Sequence, residues 1–120
     1  MMKIKPRASP NFQNGAIYKI YCKDETITDY FIGRTTNLKA TIRNLKFKCN
    51  SPKSVEYNRK HCEFIRNNGG FNNWGVCILQ EYPTDNAHSL VSELQRLLLI
   101  LKPSLNILDG YNPNKPNGYC

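Results

Sequence analysis

No long apolar run interrupts this chain. The longest, Leu97 to Leu101, falls far short of the roughly 20 apolar residues that a bilayer span requires, so a membrane-spanning helix is excluded. No internal repeat is visible, and 120 residues leave no room for a second core beside the first. The basic start, Met1-Met2-Lys3-Ile4-Lys5-Pro6-Arg7, runs into Ala8-Ser9-Pro10-Asn11 rather than an apolar segment. A secretory signal is therefore not expected, and an intracellular setting is. The five cysteines (Cys22, Cys49, Cys62, Cys77, Cys120) include no C-x-x-C pair and no zinc spacing. They read as reduced thiols, mostly small core residues. An intermolecular disulfide through Cys120, or a metal site shared with His61 or His88, is the functional alternative, although neither histidine has a partner at ligand spacing.

Acidic residues are also few: 9 Asp and Glu face 17 Lys and Arg, a net charge of +8. The excess is concentrated. From Arg34 to Arg66 nine basic residues meet only Glu56 and Glu63. A basic face of this kind is the footprint of a polyanion binder, since each phosphate neutralised releases counterions. A solvated helix face made soluble by lysine would have the same composition.

Along the chain, residues 1–14 read as a basic, proline-containing arm, 15–107 as a domain and 108–120 as a tail with Gly and Pro turn signals. Within the domain, Ala16 to Lys23 alternates as a strand with Ile17 and Lys19 on one side and Tyr18 and Ile20 on the other. Asp24 to Asp29 supplies a turn, and Tyr30 to Gly33 returns as the second strand of an antiparallel hairpin, with Gly33 letting the backbone leave the sheet. Thr35-Thr36-Asn37 predicts a helix start. Leu38, Ile42, Leu45 and Cys49 then form its apolar stripe, while Lys39, Arg43, Lys46 and Lys48 lie off it. Asn50-Ser51-Pro52 stops this helix. A second is expected from about Ser54 to Asn67, closed by Gly69-Gly70 and offering Tyr57, Cys62, Phe64 and Ile65 to the core. A third strand centres on Val76 to Glu81. A long helix from about Ala87 to Leu101 carries Ala87, Leu90, Val91, Leu94, Leu97, Leu98 and Leu101 on its core face. Pro103 ends it, and Leu105-Asn106-Ile107 reads as a short strand or packed coil. The fold class is thus mixed α/β (α+β): a small three-stranded, mainly antiparallel sheet flanked by three helices.

Gly15-Ala16-Ile17-Tyr18-Lys19-Ile20 and Tyr30-Phe31-Ile32-Gly33 together resemble the paired signature of the GIY-YIG endonuclease family. The resemblance extends to the strand-to-helix turn Phe31 to Leu38 and to a closing segment, Lys102-Pro103-Ser104-Leu105-Asn106. It implies the element order strand, strand, helix, helix, strand, helix that the periodicity suggests. The stretch Phe64 to Trp74 is particularly similar to versions carried by large DNA viruses.

Members of that family cut phosphodiesters with one divalent ion, two tyrosines, an arginine on the first helix and a glutamate on a later one. Tyr18 matches the first tyrosine, although a strand tyrosine with its hydroxyl near the sheet edge would look the same. Phe31 stands for the second, and Tyr30 cannot replace it because neighbouring strand residues face opposite ways. Thr41 stands at the arginine position. Arg43 is turned from it by about 200°, which leaves Arg34 as the nearest substitute cation. Leu94 stands at the glutamate position with Glu93 one residue away, about 100° around the helix. Leu45 occupies a position where many members have histidine.

Three functions stay open on these residues. One is a degenerate scaffold reused as a structural or interaction protein among the proteins of a large assembly, a viral capsid in a virion or host cytoplasm being the setting the resemblance implies. Another is a DNA endonuclease with a displaced site of Tyr18, Arg34 and Glu93 requiring Mg²⁺ or Mn²⁺. The third is a non-catalytic DNA-binding module using Lys39, Arg43, Lys46 and Lys48. No metal or other cofactor is expected outside the nuclease alternative.

Overall fold

The computed structural model describes residues 11–106. Two antiparallel strands, β1 (Ala16–Cys22) and β2 (Tyr30–Thr35), form the expected hairpin. Its turn is fixed locally: the Asp24 carboxylate accepts from the Thr26 backbone N–H at 3.0 Å and hydroxyl at 2.7 Å, the Asx geometry that Asp favours. Helix α1 (Leu38–Asn50) follows, and its Asn37 cap accepts from the Ala40 N–H at 3.1 Å. Next come α2 (Lys60–Asn67), β3 (Trp74–Glu81) and α3 (Ala87–Leu101), the last capped by Asn86, which accepts from the Ser89 N–H. Lys102 closes α3 in the left-handed conformation (φ 48°), directly before Pro103.

β1 lies in the middle of a three-stranded sheet of order β2-β1-β3, antiparallel on both sides. The pairing offsets by one residue between Ile17 and Tyr18, leaving Leu79 of β3 as the extra residue of a bulge. Alternation along β1 builds two cores. Tyr18, Ile20 and Cys22 pack with Ile65, Trp74 and Leu105 beneath α1 and α2, while Ile17 packs with Ile32 and Leu90 beneath α3. The fold class expected from periodicity is therefore observed: a mixed α/β domain with a three-stranded antiparallel sheet and three helices.

Several local expectations change. The arm's last residues, Phe12–Asn14, form a turn of 3-10 helix, and Phe12 packs against the α3-side core. Residues 1–10 and the 108–120 tail lie outside the described residues. β2 runs two residues past Gly33. Glycine is required there for another reason: Gly33 pairs with Tyr18, and a Cβ would stand 2.6 Å from Cζ of the Tyr18 ring, which lies across the strand. α2 begins at Lys60 rather than near Ser54. Ser54 to Arg59 instead makes successive tight turns, with N–H groups of Ser54, Tyr57 and Arg59 donating three residues back. The Arg66 guanidinium claims two of the carbonyls in this region, bonding Cys49 O at 2.8 Å and Tyr57 O at 2.6 Å. The closing segment is a 3-10 turn at Ser104–Asn106 rather than a strand, and Ile107 is not described.

Cysteine pairing differs too. Cys49 at the end of α1 and Cys62 in the first turn of α2 are disulfide-bonded, where reduced thiols are expected from sequence. Cys22 is buried and free, Cys77 exposed and free, and Cys120 lies outside the described residues. No helix among the described residues is long and apolar enough to cross a membrane.

Candidate functional site

Tyr18 projects from β1 onto the sheet face covered by α1 and α2, where it is buried, with its ring centroid 6.4 Å from that of Phe31. Burial pushes its phenol up to about 12, against the pull of the nearby Arg34 charge. The hydroxyl therefore stays protonated at neutral pH and is a poor base toward water. Phe31 has no hydroxyl to add. Its ring instead stacks on His61 of α2 at 4.6 Å and 24°.

Arg34 pairs with Ile17, whose side chain faces α3, so it leaves β2 on the face opposite Tyr18. Gln80 completes this row across the sheet, and it contributes with Arg96 to holding the Glu93 carboxyl below its ordinary value, Arg96 being the larger cause. Glu93 belongs to the same α3 side. It is only 7% exposed, more deeply placed than the flanking position read from the apolar stripe, and Leu94 beside it joins the Ile17 core. Both Glu93 oxygens are engaged: Arg96 donates from Nε to Oε1 at 2.9 Å and from Nη2 to Oε2 at 2.7 Å. Such a fork satisfies the carboxylate with a cation three residues along the same helix.

The sheet thus divides Tyr18 from Glu93, whereas Arg34, which leaves the edge strand β2 on the α3 side, still acts on the Tyr18 phenol through its charge. Thr41, at the position where the resemblance places arginine, shares a 2.7 Å hydroxyl hydrogen bond with the buried Thr35, whose oxygen also accepts from the Asn37 N–H. It staples the strand exit to α1. Magnesium and manganese prefer several oxygen ligands, carboxylates foremost. The one carboxylate of the trio is closed by Arg96, so these residues do not fit such an ion.

The four candidate basic residues of α1 separate differently. Lys39, Arg43 and Lys46 are exposed and follow one another by four and three residues, which lines them along one flank of the helix. Lys48 turns toward the α1–α2 connection, where its ammonium lies 3.8 Å from Glu56. Phe47 completes the outer flank at 67% exposure, and a shallow depression is lined by Arg43, Lys46, Phe47, Asn50 and Ser51.

Two arrangements go beyond the residues singled out from the sequence. His61 is adjacent to Cys62, but its proximity to Cys49 depends on how α2 meets α1; together their ligand atoms lie within 4.8 Å of one another. Burial and the Arg59 charge, opposed by Glu56, lower the His61 imidazole to about 4, so it is neutral at neutral pH. Arg96 as the partner of Glu93 had a visible signal, the three-residue spacing that brings side chains together on a helix. Comparison with protein-family models, curated proteins and solved structures finds no match to this chain.

Proposed function

We propose that this domain is a GIY-YIG-like scaffold that has lost phosphodiester chemistry and serves as a structural or interaction component of a larger assembly, the particle of a large DNA virus. The observation carrying the proposal is the division of Tyr18 from Glu93 by the sheet, with the carboxylate committed to Arg96. A single positioned acid or base contributes about 10²–10⁴ in rate, and here the phenol is protonated, the second phenol is absent and the carboxylate is occupied. Exposed Leu99, Ile100 and Leu101 at the end of α3 offer apolar surface to a neighbouring protein. Purified particles analysed by quantitative mass spectrometry are expected to contain the chain at fixed stoichiometry after washing at high salt. Its absence from the particle, or a copy number that varies between preparations, would overturn the assembly role.

The outer flank of α1 favours a second role, contact with nucleic acid. Arg43 and Lys46 share a depression with an exposed aromatic ring, the combination of backbone neutralisation and base stacking that single strands need. Neutralising both cations is expected to lower the dependence of log affinity on log salt by about 1.4. Phe47→Ala should weaken single-strand binding by about 1–3 kcal/mol. Unchanged affinity and salt dependence in these variants, measured by fluorescence anisotropy, would remove α1 from consideration.

A further inference from the structure

The α1–α2 junction holds a donor set unrelated to the residues considered for phosphodiester chemistry. We infer that Cys49, His61 and Cys62 form a zinc-type metal site of the reduced protein, and that the Cys49–Cys62 disulfide is the closed, metal-free form of the same site.

Their donor atoms lie within 4.8 Å of one another, and all three residues are buried. His61 supplies a second, independent indication: it is 6% exposed, and its Nδ1 is, among the described residues, the buried side-chain polar atom without a hydrogen-bond partner. A buried polar atom left without a partner is costly and uncommon, and a ligand is one way to satisfy it. Two sulfurs and one imidazole nitrogen suit a borderline-soft cation; magnesium and calcium prefer oxygen. Charge also balances, because two thiolates and a dication sum to zero, which lessens the cost of placing ions in a dry interior.

Contacts besides the sulfur–sulfur bond also hold these donors in place. Arg66 ties the Cys49 carbonyl to the Tyr57 carbonyl, fixing the end of α1 against the connection that leads into α2. Phe31, stacked on His61, sets the plane of the imidazole. Three protein donors leave the fourth tetrahedral position to an exogenous ligand such as water or a small thiol.

Interconversion balances as follows. A dithiol or phosphine reductant supplies two electrons, the Cys49–Cys62 bond breaks and two thiols form as two protons are taken up, while the reductant is oxidised. Binding of the dication then releases the two thiol protons to solvent. Reoxidation by a disulfide oxidant passes two electrons from the thiolates to the oxidant, whose own disulfide is cleaved to two thiols with two protons from solvent, while the Cys49–Cys62 bond re-forms and the dication is released.

Cobalt(II) titration of the full chain tests this, after phosphine reduction and chelator treatment under anaerobic conditions. One equivalent is expected to produce a thiolate-to-cobalt charge-transfer band with tetrahedral d–d absorption, displaced by zinc. The oxidised chain should give neither. Cys62→Ser should abolish the band, and His61→Ala should reduce affinity by more than the roughly tenfold lower limit typical of outer-shell substitutions. Cys22→Ser and Cys77→Ser should leave it unchanged. No charge-transfer band in the reduced wild type, one that survives Cys62→Ser, or unchanged affinity in a folded His61→Ala would overturn the inference. If circular dichroism shows His61→Ala unfolded, the comparison of reduced and oxidised wild type decides: bands in both or in neither reject the site.

Discussion

Asn106→Ala should destabilise the domain by about 2–4 kcal/mol in urea unfolding, a large effect for one half-buried side chain. The Asn106 amide acts as a substitute strand on the outer edge of β2. Its oxygen accepts from the Ile32 N–H at 2.8 Å and its nitrogen donates to the Ile32 carbonyl at 2.7 Å. Ile32 is fully buried in the core beneath α3, so truncation strands a donor and an acceptor where water has poor access. Each unsatisfied group costs about 1–3 kcal/mol. Asn106→Asp sharpens the test, since it retains the shape and the acceptor but turns the donor into a charged oxygen facing a carbonyl. It should be at least as destabilising at neutral pH. Loss of less than about 0.5 kcal/mol in both variants, the range of ordinary surface substitutions, would show that the bidentate contact contributes nothing.

Arg66→Ala ranks next, with an expected cost of about 3 kcal/mol. One guanidinium nitrogen donates to the Cys49 and Tyr57 carbonyls, and the group lies 3.7 Å above the Tyr57 ring. Hydrogen bonds from charged donors contribute about 1.5–3 kcal/mol each, and a partly exposed cation–π contact about 0.5–1 kcal/mol. These do not sum fully because water replaces some of what is lost. Arg66→Lys keeps the charge but not the planar stack, so it should recover less than half of the deficit. Urea midpoints of the three proteins, with the disulfide intact, check the order. Equal midpoints for wild type and Arg66→Ala would mean that the α1–α2 connection holds itself together.

These two residues mark the boundary of what sequence patterns convey. The hairpin, the Asn37 cap and the α3 stripe are local features, fixed by alternation, side-chain capping and helical spacing, and each appears where the pattern puts it, except that Ala87 and Leu101 at the two ends of the stripe are exposed. The late start of α2 goes together with Arg66 reaching back to Tyr57 and Cys49, a contact that no periodicity encodes. The Asn106 clamp joins residues 74 positions apart, and the Cys49–Cys62 link depends on how two helices meet.

At the candidate site the strand parity was available. If Phe31 shares a face with Tyr18, Arg34 three residues later must leave on the other. The parity that rejects Tyr30 as a replacement therefore also starts Arg34 on the other face, although from the edge strand its charge still reaches the Tyr18 phenol. Burial of Glu93 was less accessible, because a carboxylate on a leucine-rich helix reads as a flanking residue until its pairing with Arg96 is seen.

The proposed lack of phosphodiester chemistry is tested by incubating supercoiled plasmid with purified chain and Mg²⁺ or Mn²⁺. The expected result is no nicked or linear DNA above the metal-only control, at protein concentrations that saturate any DNA binding. Metal-dependent nicking that disappears in Tyr18→Phe or Glu93→Gln would show an active nuclease instead, because it would require the two sides of the sheet to cooperate in one site.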